Sequence, residues 1–254
     1  MNLMSNRIIC IAHRGGGSGV HENKIETIKK SLSDDFVDAI EVDVRKTKDN
    51  IIVISHDRGI KTNGHTVLID EVNFSDIKHL GVLSLREVLP LFKTSKKILD
   101  IDIKDKASVY EIIYLFKKHG YFKRVYFSSF DMNTLFEIQE EIPYGEYFLS
   151  SSITDSQDFY RRRVIRVFLV FVAILFSRIA IILLKKKFRK IKLDGISLFY
   201  RFATKEFVDD LKALGFKVFV WGTDKESELK KLTLISIDGI KTKNTSLFQK
   251  ILQI

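Results

Sequence analysis

Two short segments of the sequence alternate carboxylates with large aliphatic residues, and this alternation limits the possible folds more than any other feature. The first is A-I-E-V-D-V at residues 39–44, and the second is K-I-L-D-I-D-I-K at 97–104. Side chains two residues apart in a β-strand point to the same face, so each segment predicts a strand with one aliphatic and one acidic face. The aliphatic face needs a buried partner surface, and unpaired buried charge is costly. We therefore expect both strands to be buried and their acidic faces to line a site.

The acidic faces carry Glu41 and Asp43 in the first segment, and Asp100, Asp102 and Lys104 in the second. Adjacent carboxylates repel each other unless a cation lies between them, and Mg²⁺ and Ca²⁺ prefer oxygen ligands. Glu41 and Asp43 alone would also be compatible with a solvated edge strand, but the aliphatic residues around them argue against it. The pattern therefore favours a divalent cation, Mg²⁺ or Ca²⁺, as cofactor.

Two histidines stand directly after predicted strands. His13 opens H-R-G-G-G behind an aliphatic run, and His56 lies in V-I-S-H-D. Imidazoles titrate near neutral pH, so a pair of them can accept one proton and donate another. A lone histidine beside glycine is more often an ordinary surface or core residue, and three glycines alone are as compatible with a simple turn as with a phosphate loop. Their occurrence together with the acidic strands favours an active site.

The segments between these motifs predict an eight-stranded barrel. Strand 39–44 reaches strand 51–55 through a connection too short for a helical crossover, so these two form an antiparallel hairpin. Without the arm at 51–55, eight strands remain, separated by helical patterns. The prediction is an α/β fold, a somewhat distorted (β/α)8 TIM barrel with its site at the C-terminal ends of the strands. The predicted strands lie near residues 7–12, 39–44, 51–55, 97–103, 125–129, 143–149, 193–199, 217–221 and 237–241.

The length and composition are compatible with one barrel domain spanning residues 1–254. With 45% hydrophobic residues, the chain can bury a full core. The net charge of +10 is compatible with an anionic partner, either nucleic acid or a lipid surface. The sequence has no recognised nucleic-acid-binding motif or base-stacking platform, so we expect no nucleic-acid partner. The first predicted strand begins near Arg7, so we expect no cleavable signal peptide.

A hydrophobic segment flanked by basic residues lies at 161–187, between the fifth and sixth barrel strands. As a helix, its apolar part at 164–184 would be about 31 Å long, enough to cross a bilayer, but a crossing would divide the barrel between the two sides of the membrane. Its basic ends suit a helix lying in the membrane surface. A buried helix or a dimer interface is the alternative. We therefore expect a membrane-associated protein at the cytoplasmic face, with 161–187 contacting lipid or, in a homo-oligomer, a second copy of the chain.

The motifs H-R-G, E-N, E-V-D-V, T-K-D-N, V-I-S-H-D, D-I-K, V-W-G-T-D and D-G-I-K-T follow one another along the chain. In this order they resemble the glycerophosphodiester phosphodiesterase family over nearly the whole sequence. The resemblance implies a TIM barrel and metal-dependent hydrolysis of a phosphodiester. It also implies that a neighbouring glycerol hydroxyl attacks first and that water opens the resulting cyclic phosphate.

The resemblance further implies a role for each matching residue. Several positions depart from the family pattern, among them Asp102, which replaces a glutamate among the metal ligands, and Lys243, which replaces an acid near the C-terminus. The implied residues are His13 and His56 as the catalytic acid and base; Glu41, Asp43 and Asp102 as metal ligands; and Arg14, Lys104, Glu22, Asn23 and Trp221 as substrate- or phosphate-binding residues.

The residues and the resemblance together predict an enzyme, a phosphoric diester hydrolase. Because of the hydrophobic segment, we expect its substrate to be a membrane glycerophospholipid or lysophospholipid. Soluble glycerophosphodiesters, cleaved with release of glycerol 3-phosphate, are the alternative substrates. The alternative from another functional class is a binding protein, a membrane-bound barrel whose catalytic activity has decayed. The departures at Asp102 and Lys243 motivate this alternative.

Overall fold

The computed structural model of the protein describes residues 7–62, 64–119, 124–151 and 192–253. Within these ranges the strands are β1 Ile9–Ala12, β2 Ala39–Lys46, β3 Ile52–Ile54, β4 Gly59–Lys61, β5 Thr66–Leu68, β6 Ile98–Ile103, β7 Val125–Ser129, β8 Glu146–Ser151, β9 Gly195–Phe199, β10 Lys217–Trp221 and β11 Gly239–Thr242. The helices are α1 Ile25–Ser33, α2 Phe74–Lys78, α3 Leu85–Lys93, α4 Val109–His119, α5 Met132–Glu141, α6 Lys205–Ala213, α7 Glu226–Leu232 and α8 Thr245–Leu252.

In the described part of the chain, eight parallel strands close into a barrel. Their order around the barrel is β1, β2, β6, β7, β8, β9, β10 and β11, and β1 pairs with both β2 and β11 to close the ring. The seam between β1 and β2 is short, with Ile11 opposite Ala39 and Ala12 opposite Ile40. The predicted (β/α)8 TIM barrel is therefore confirmed.

Two antiparallel hairpins interrupt the barrel between β2 and β6. β3 lies outside the barrel as the antiparallel partner of β2, as the short connection predicts, with Val44 opposite Ile54 and Lys46 opposite Ile52. The second hairpin, β4–β5, is absent from the predicted strands because its short, largely exposed arms carry little apolar periodicity. Both hairpins follow the strand that carries the first acidic pair, so they lie beside the candidate site.

Apolar side chains fill the barrel interior toward the N-terminal ends of its strands. Ile11, Ala39, Tyr126, Phe148 and Phe219 form a buried cluster there. The rings of Phe148 and Phe219 stack with their centroids 4.3 Å apart. Inward-facing positions recur every second residue, and those that follow this cluster are polar, except for Trp221 on β10. The interior therefore changes from apolar to charged toward the C-terminal ends, where barrels of this class carry their sites.

A larger hydrophobic cluster fills the space between the strands and the surrounding helices. The aliphatic residues that alternate with the carboxylates, among them Ile40, Val42 and Ile101, belong to this cluster and are buried. Each such side chain contributes about 1.5–3 kcal/mol to folding by leaving water. Their packing against the helices turns the carboxylates of β2 and β6 inward, in agreement with the alternation in the sequence.

The sequence predicts a location at a membrane, and the helices of the described residues contradict this prediction. Among them, no helix is both long and apolar enough to cross a bilayer. The longest helix there, Val109–His119, has 11 residues and spans about 16 Å, whereas the hydrocarbon core of a bilayer is about 30 Å thick. The segment at 161–187, on which the predicted membrane contact and homo-oligomer contact were based, lies outside the described residues.

Candidate active site

Three carboxylates meet inside the C-terminal end of the barrel. Asp43 of β2 lies opposite Asp102 of β6, and Glu41 precedes Asp43 by one inward-facing position. One oxygen from each of Glu41, Asp43 and Asp102 lies within 4.8 Å of the others, and all three residues are buried. Asp102 reaches this carboxylate cluster despite its short side chain because its strand pairs directly with β2.

The cluster has the donor set for a hard divalent cation. Among the described residues, Oδ1 of Asp102 is buried without a hydrogen-bond partner, and so is Oδ1 of Asn23. Asn23 donates from Nδ2 to Oδ2 of Asp43 at 3.0 Å, so its amide lies beside the carboxylates. Buried oxygens without a donor are costly, whereas Mg²⁺ and Ca²⁺ are coordinated by carboxylate and amide oxygens. The residues of the site therefore fit such an ion.

Lys104 bridges two of the carboxylates. Its Nζ lies 2.9 Å from Oδ1 of Asp43 and 2.6 Å from Oδ2 of Asp102, and its side chain is 8% exposed. Burial alone would raise the pKa of Asp43, but the charge of Lys104 and of neighbouring histidine and arginine side chains holds this pKa well below its usual value. Asp43 is therefore ionised at physiological pH.

The pKa of Glu41 is shifted in the opposite direction from that of Asp43. Burial, together with the negative charge of Asp43, raises the pKa of Glu41 well above its ordinary value. Neighbouring buried carboxylates cannot all ionise without a compensating positive charge. A divalent cation bound at the cluster would therefore favour loss of the Glu41 proton.

A tight turn at the end of β1 places His13 beside the cluster. The chain turns at His13–Gly16, where Arg14 and Gly15 adopt left-handed backbone angles with φ of 52° and 76°. The backbone N–H of Arg14 donates to Oε2 of Glu41 at 2.6 Å, which ties this turn to β2. The turn therefore delivers the imidazole and guanidinium side chains to the same end of the barrel.

His13 adjoins the cluster through Glu41. Its Nε2 lies 3.9 Å from Oε2 of Glu41, and its side chain is 13% exposed. Burial lowers the pKa of His13 well below its ordinary value, and the positive charges of Arg14 and Lys241 act in the same direction. The His13 ring is therefore neutral at physiological pH and able to accept a proton.

His56 follows β3 and is oriented by the next residue in the chain. Its Nδ1 lies 2.7 Å from Oδ1 of Asp57, and its side chain is 33% exposed. This hydrogen bond lowers the pKa of Asp57 and leaves Nε2 of the His56 ring for another partner. A backbone hydrogen bond of 2.8 Å from Ile54 to Leu83 holds the end of β3 against the segment before α3.

Glu22 lies between two cations at the edge of the site. Nη1 of Arg14 lies 2.7 Å from Oε2 of Glu22, and Nζ of Lys243 lies 2.8 Å from Oε1. Burial alone would raise the pKa of Glu22, but these hydrogen bonds lower it. Nε of Arg14 also lies 3.8 Å from Oδ2 of Asp43. Lys243, where the chain departs from the family pattern, therefore joins the same charged network as Arg14.

Asp100 belongs to a separate buried ion pair. Nζ of Lys241 lies 2.6 Å from Oδ2 of Asp100, and the two side chains are 4% and 1% exposed. Ser128 donates a hydrogen bond to Oδ1 of Asp100 at 3.3 Å. Burial raises the pKa of Asp100, and the charge of Lys241 opposes this effect. Asp100 therefore partners Lys241 and lies outside the carboxylate cluster.

Trp221 lies at the C-terminal end of β10 in a group of aromatic rings. Its ring packs against Phe199 and Phe130, with centroid distances of 5.1 and 6.4 Å. Phe130 is 45% exposed, and Nζ of Lys104 lies 5.6 Å from the centroid of its ring. The aromatic group therefore links Trp221 to the carboxylate cluster and forms an apolar wall beside it.

The sequence-predicted residues are thus brought together at one end of the barrel, with Trp221 at the periphery. The site also contains three residues to which the sequence analysis assigned no role: Asp57, Lys241 and Lys243. Asp57 directly follows His56 in the sequence, and this adjacency could have identified it as a partner of the imidazole. The partners of Lys241 and Lys243 are far away in the sequence, and no local pattern reveals such pairs.

Comparisons with known proteins agree with this geometry. A profile of the Glycerophosphoryl diester phosphodiesterase family matches residues 13–100 and 89–247. The chain is 24% identical over 258 residues to the glycerophosphodiester phosphodiesterase of Caldanaerobacter subterraneus subsp. tengcongensis, with 93% of this chain and 94% of that protein covered.

Solved structures show the same fold. One is the glycerophosphodiester phosphodiesterase of Thermotoga maritima, with a TM-score of 0.70, 25% identity, and coverage of 96% of this chain and 98% of that one. Another is a phosphodiesterase of Oleispira antarctica, with a TM-score of 0.74, 18% identity, and coverage of 97% of each chain. The family profile covers most of the sequence. The chain therefore belongs to the glycerophosphoryl diester phosphodiesterase family and is a phosphoric diester hydrolase.

Proposed function

We propose that the protein hydrolyses glycerophosphodiesters with a divalent cation held by Glu41, Asp43 and Asp102, and with His13 and His56 as the residues that transfer protons. The observation that carries this proposal is the buried carboxylate cluster, whose oxygens lie within 4.8 Å of one another. Family membership supports a glycerophosphodiester as the substrate.

The charges around the cluster suit a phosphodiester. When bound, a divalent cation supplies positive charge toward the phosphoryl oxygens. Arg14 is held by Glu22 through Nη1, and its planar guanidinium can bind a phosphate through the remaining N–H groups. Lys104 neutralises part of the negative charge of Asp43 and Asp102, which reduces repulsion of an anionic substrate.

The two histidines differ in a way that suits opposite roles. His13 is neutral because burial lowers its pKa, so we assign it the role of general base. It accepts the proton of the glycerol hydroxyl next to the phosphate, whose oxygen then attacks phosphorus. His56 is oriented by its hydrogen bond to Asp57, and we assign it the role of general acid, which donates a proton to the departing alcohol as the P–O bond breaks. Water opens the resulting cyclic phosphate with the two roles reversed.

We assign the substrate class from the glycerol phosphate group that the substrate must contain. The Oleispira antarctica phosphodiesterase was solved in complex with the product sn-glycerol-3-phosphate, which supports release of the same product here. The aromatic wall of Phe130 and Trp221 offers an apolar surface beside the phosphate site. A lysophospholipid carries the same glycerophosphodiester group with an added acyl chain, so both substrates belong in the assay.

The test is hydrolysis of glycerophosphocholine and of lysophosphatidylcholine by the chelator-treated protein, with and without added Mg²⁺ or Ca²⁺. We expect metal-dependent formation of glycerol 3-phosphate from glycerophosphocholine. We expect His13→Ala and His56→Ala each to lower kcat by about 100-fold, the usual range for loss of a general acid or base. His79→Ala, which removes an exposed histidine outside the site, is the matched control.

Two results would contradict the proposal. Full activity of His13→Ala would remove the assigned base. Folded, metal-loaded protein that turns over neither compound would instead favour the binding protein with decayed activity.

A further inference from the structure

A pocket with a basic lining lies at the C-terminal end of β2, the strand that carries Glu41 and Asp43. Its volume is about 310 Å³, and it lies between the β2–β3 hairpin, the β4–β5 hairpin and the loop after β6. Among its lining residues, four cations face two acids, so the pocket has an excess of positive charge. The cations are Arg45, Lys46, Lys48 and Arg58, and the acids are Asp70 and Asp105.

The pocket adjoins the proposed catalytic residues. Arg45 follows Asp43 by two residues in β2, a distance of about 7 Å along a strand. Nε of Arg45 donates to the backbone carbonyl of His56 at 3.0 Å. On the other wall, Asp105 directly follows Lys104. A substrate whose phosphodiester lies at the carboxylate cluster can therefore extend one arm into this pocket.

The cations of the pocket retain the capacity to bind an anion. Within the described residues, neither Arg45 nor Lys48 has a carboxylate at ion-pair distance, whereas Nζ of Lys46 lies 3.9 Å from Oε1 of Glu111. Arg58 is held by Asp70 through two hydrogen bonds of 2.9 and 2.7 Å, which fix its guanidinium at the pocket wall. Asp105 accepts a hydrogen bond from Ser108 at 2.6 Å, so part of its charge is engaged outside the pocket.

We propose that this pocket binds a phosphate group carried by the alcohol arm of the substrate, so that the preferred substrates are glycerophosphodiesters whose second alcohol is itself phosphorylated. This inference rests on the proposed function. Guanidinium groups match phosphate oxygens in a planar, bidentate geometry, and ammonium groups add point charges. Within the described residues, Arg45 and Lys48 are the pocket cations without a carboxylate at ion-pair distance, and their two positive charges match the charge of about −2 that a phosphate monoester carries.

The test compares two compounds that differ in one group: glycerophosphoglycerol and the same compound with a phosphate on its terminal hydroxyl. Their kcat/KM values are measured with the metal-loaded enzyme, and their Kd values are measured by calorimetry with the metal-stripped protein. We expect the wild-type enzyme to favour the phosphorylated compound by about tenfold or more, as two or more charged contacts would produce. This preference should decrease as salt concentration rises.

Two substitutions should move the preference in opposite directions. Lys48→Gln removes a cation without a carboxylate partner and should lower the preference about threefold. Asp70→Asn removes a negative charge and leaves Arg58 with Glu71, 3.8 Å away, as its remaining carboxylate partner, so the preference should rise. Lys250→Gln, which removes the same charge from an exposed position on α8, is the matched control and should leave the preference unchanged.

The outcomes separate the pocket from the proposed function. Equal kcat/KM and Kd values for the two compounds would overturn the pocket assignment while leaving the hydrolase intact. The pocket assignment would also be overturned if the Lys48 and Asp70 variants shifted the preference in the same direction. Preferential binding of the phosphorylated compound with no turnover of either compound would instead support the pocket and overturn the proposed function.

Discussion

Burial acts in opposite directions on two neighbouring residues of the site. It lowers the pKa of His13 and raises that of Glu41, although both adjoin the same carboxylate cluster. Desolvation disfavours the charged form in each case, which is the protonated form of histidine and the deprotonated form of glutamate. The metal-free site therefore holds a neutral base beside a carboxyl group whose ionisation depends on a cation.

Stability at different pH values tests this account of Glu41. The folded-state pKa of Glu41 lies above its ordinary value of 4.5, so the metal-free protein should lose stability as pH rises from about 4.5 toward the raised pKa. A divalent cation favours the ionised form and removes this loss. We therefore expect the increase in Tm on adding Mg²⁺ or Ca²⁺ to be larger at pH 8 than at pH 5, as measured by calorimetry. An equal increase at both pH values would contradict the coupling.

Asp57 offers a test of how His56 is oriented. Asp57→Asn removes the charge that faces Nδ1 of His56 but keeps the size of the side chain. We expect kcat to decrease about tenfold or more, with little change in Tm, because Asp57 is exposed and acts on the imidazole. Asp35→Asn, at an exposed position outside the site, is the control. Unchanged kcat and an unchanged pH profile would show that His56 needs no orienting group.

At the scale of elements, the loop between β1 and α1 determines where the charged side chains lie. It carries Arg14 and Glu22, and the backbone N–H of Asn23 donates to the carbonyl of Arg14 at 2.8 Å. The loop folds back on itself at Gly17, where a Cβ atom would overlap the carbonyl oxygen of His21. Glycine at this position is therefore required by close approach of the backbone.

Two glycines of this loop provide a matched pair of substitutions. Gly17→Ala should displace the backbone near Glu22 and lower kcat/KM by about tenfold or more, since small misplacements of binding groups are costly. In Gly19→Ala the added Cβ meets no atom within 4 Å. This variant should lose only the stability that the left-handed backbone costs an alanine, about 1–2 kcal/mol. Steady-state kinetics of both variants checks this. Similar kinetic losses in the two variants would contradict the steric explanation.

The sequence predicts elements well where their signal is local. The alternation at 39–44 and 97–104 identifies two buried strands and the direction of their carboxylates, because a strand repeats every two residues. The β4–β5 hairpin is not predicted, because its arms are short and largely exposed. The pairing of Lys241 with Asp100 depends on the closure of the barrel, which brings distant strands together. Local periodicity carries no information about such contacts.

At the scale of the whole molecule, the barrel divides into an apolar half that stabilises the fold and a charged half that carries the chemistry. The stacked rings of Phe148 and Phe219 fill the apolar half. The carboxylates and the lysines that pair with them occupy the other half, where their burial is costly. The hydrophobic packing on both sides of the strands offsets this cost.

This division predicts separate effects of substitutions in the two halves. Phe219→Ala should reduce the free energy of unfolding by about 3–5 kcal/mol, since it leaves a cavity in the barrel interior. Tyr110→Ala, at a position 76% exposed on α4, should change it little. Denaturant unfolding of both variants checks this prediction. Equal effects on stability would contradict the assigned role of the apolar half.

The central claim is that the buried carboxylates hold a divalent cation needed for hydrolysis of a glycerophosphodiester. Its most direct test is the release of glycerol 3-phosphate from glycerophosphocholine by chelator-treated protein before and after metal is restored, in the wild type and in Asp102→Asn. We expect the chelator to abolish turnover, metal to restore it in the wild type, and Asp102→Asn to need a much higher metal concentration. Turnover that persists in full after chelation, with the same rate in both proteins, would contradict the claim.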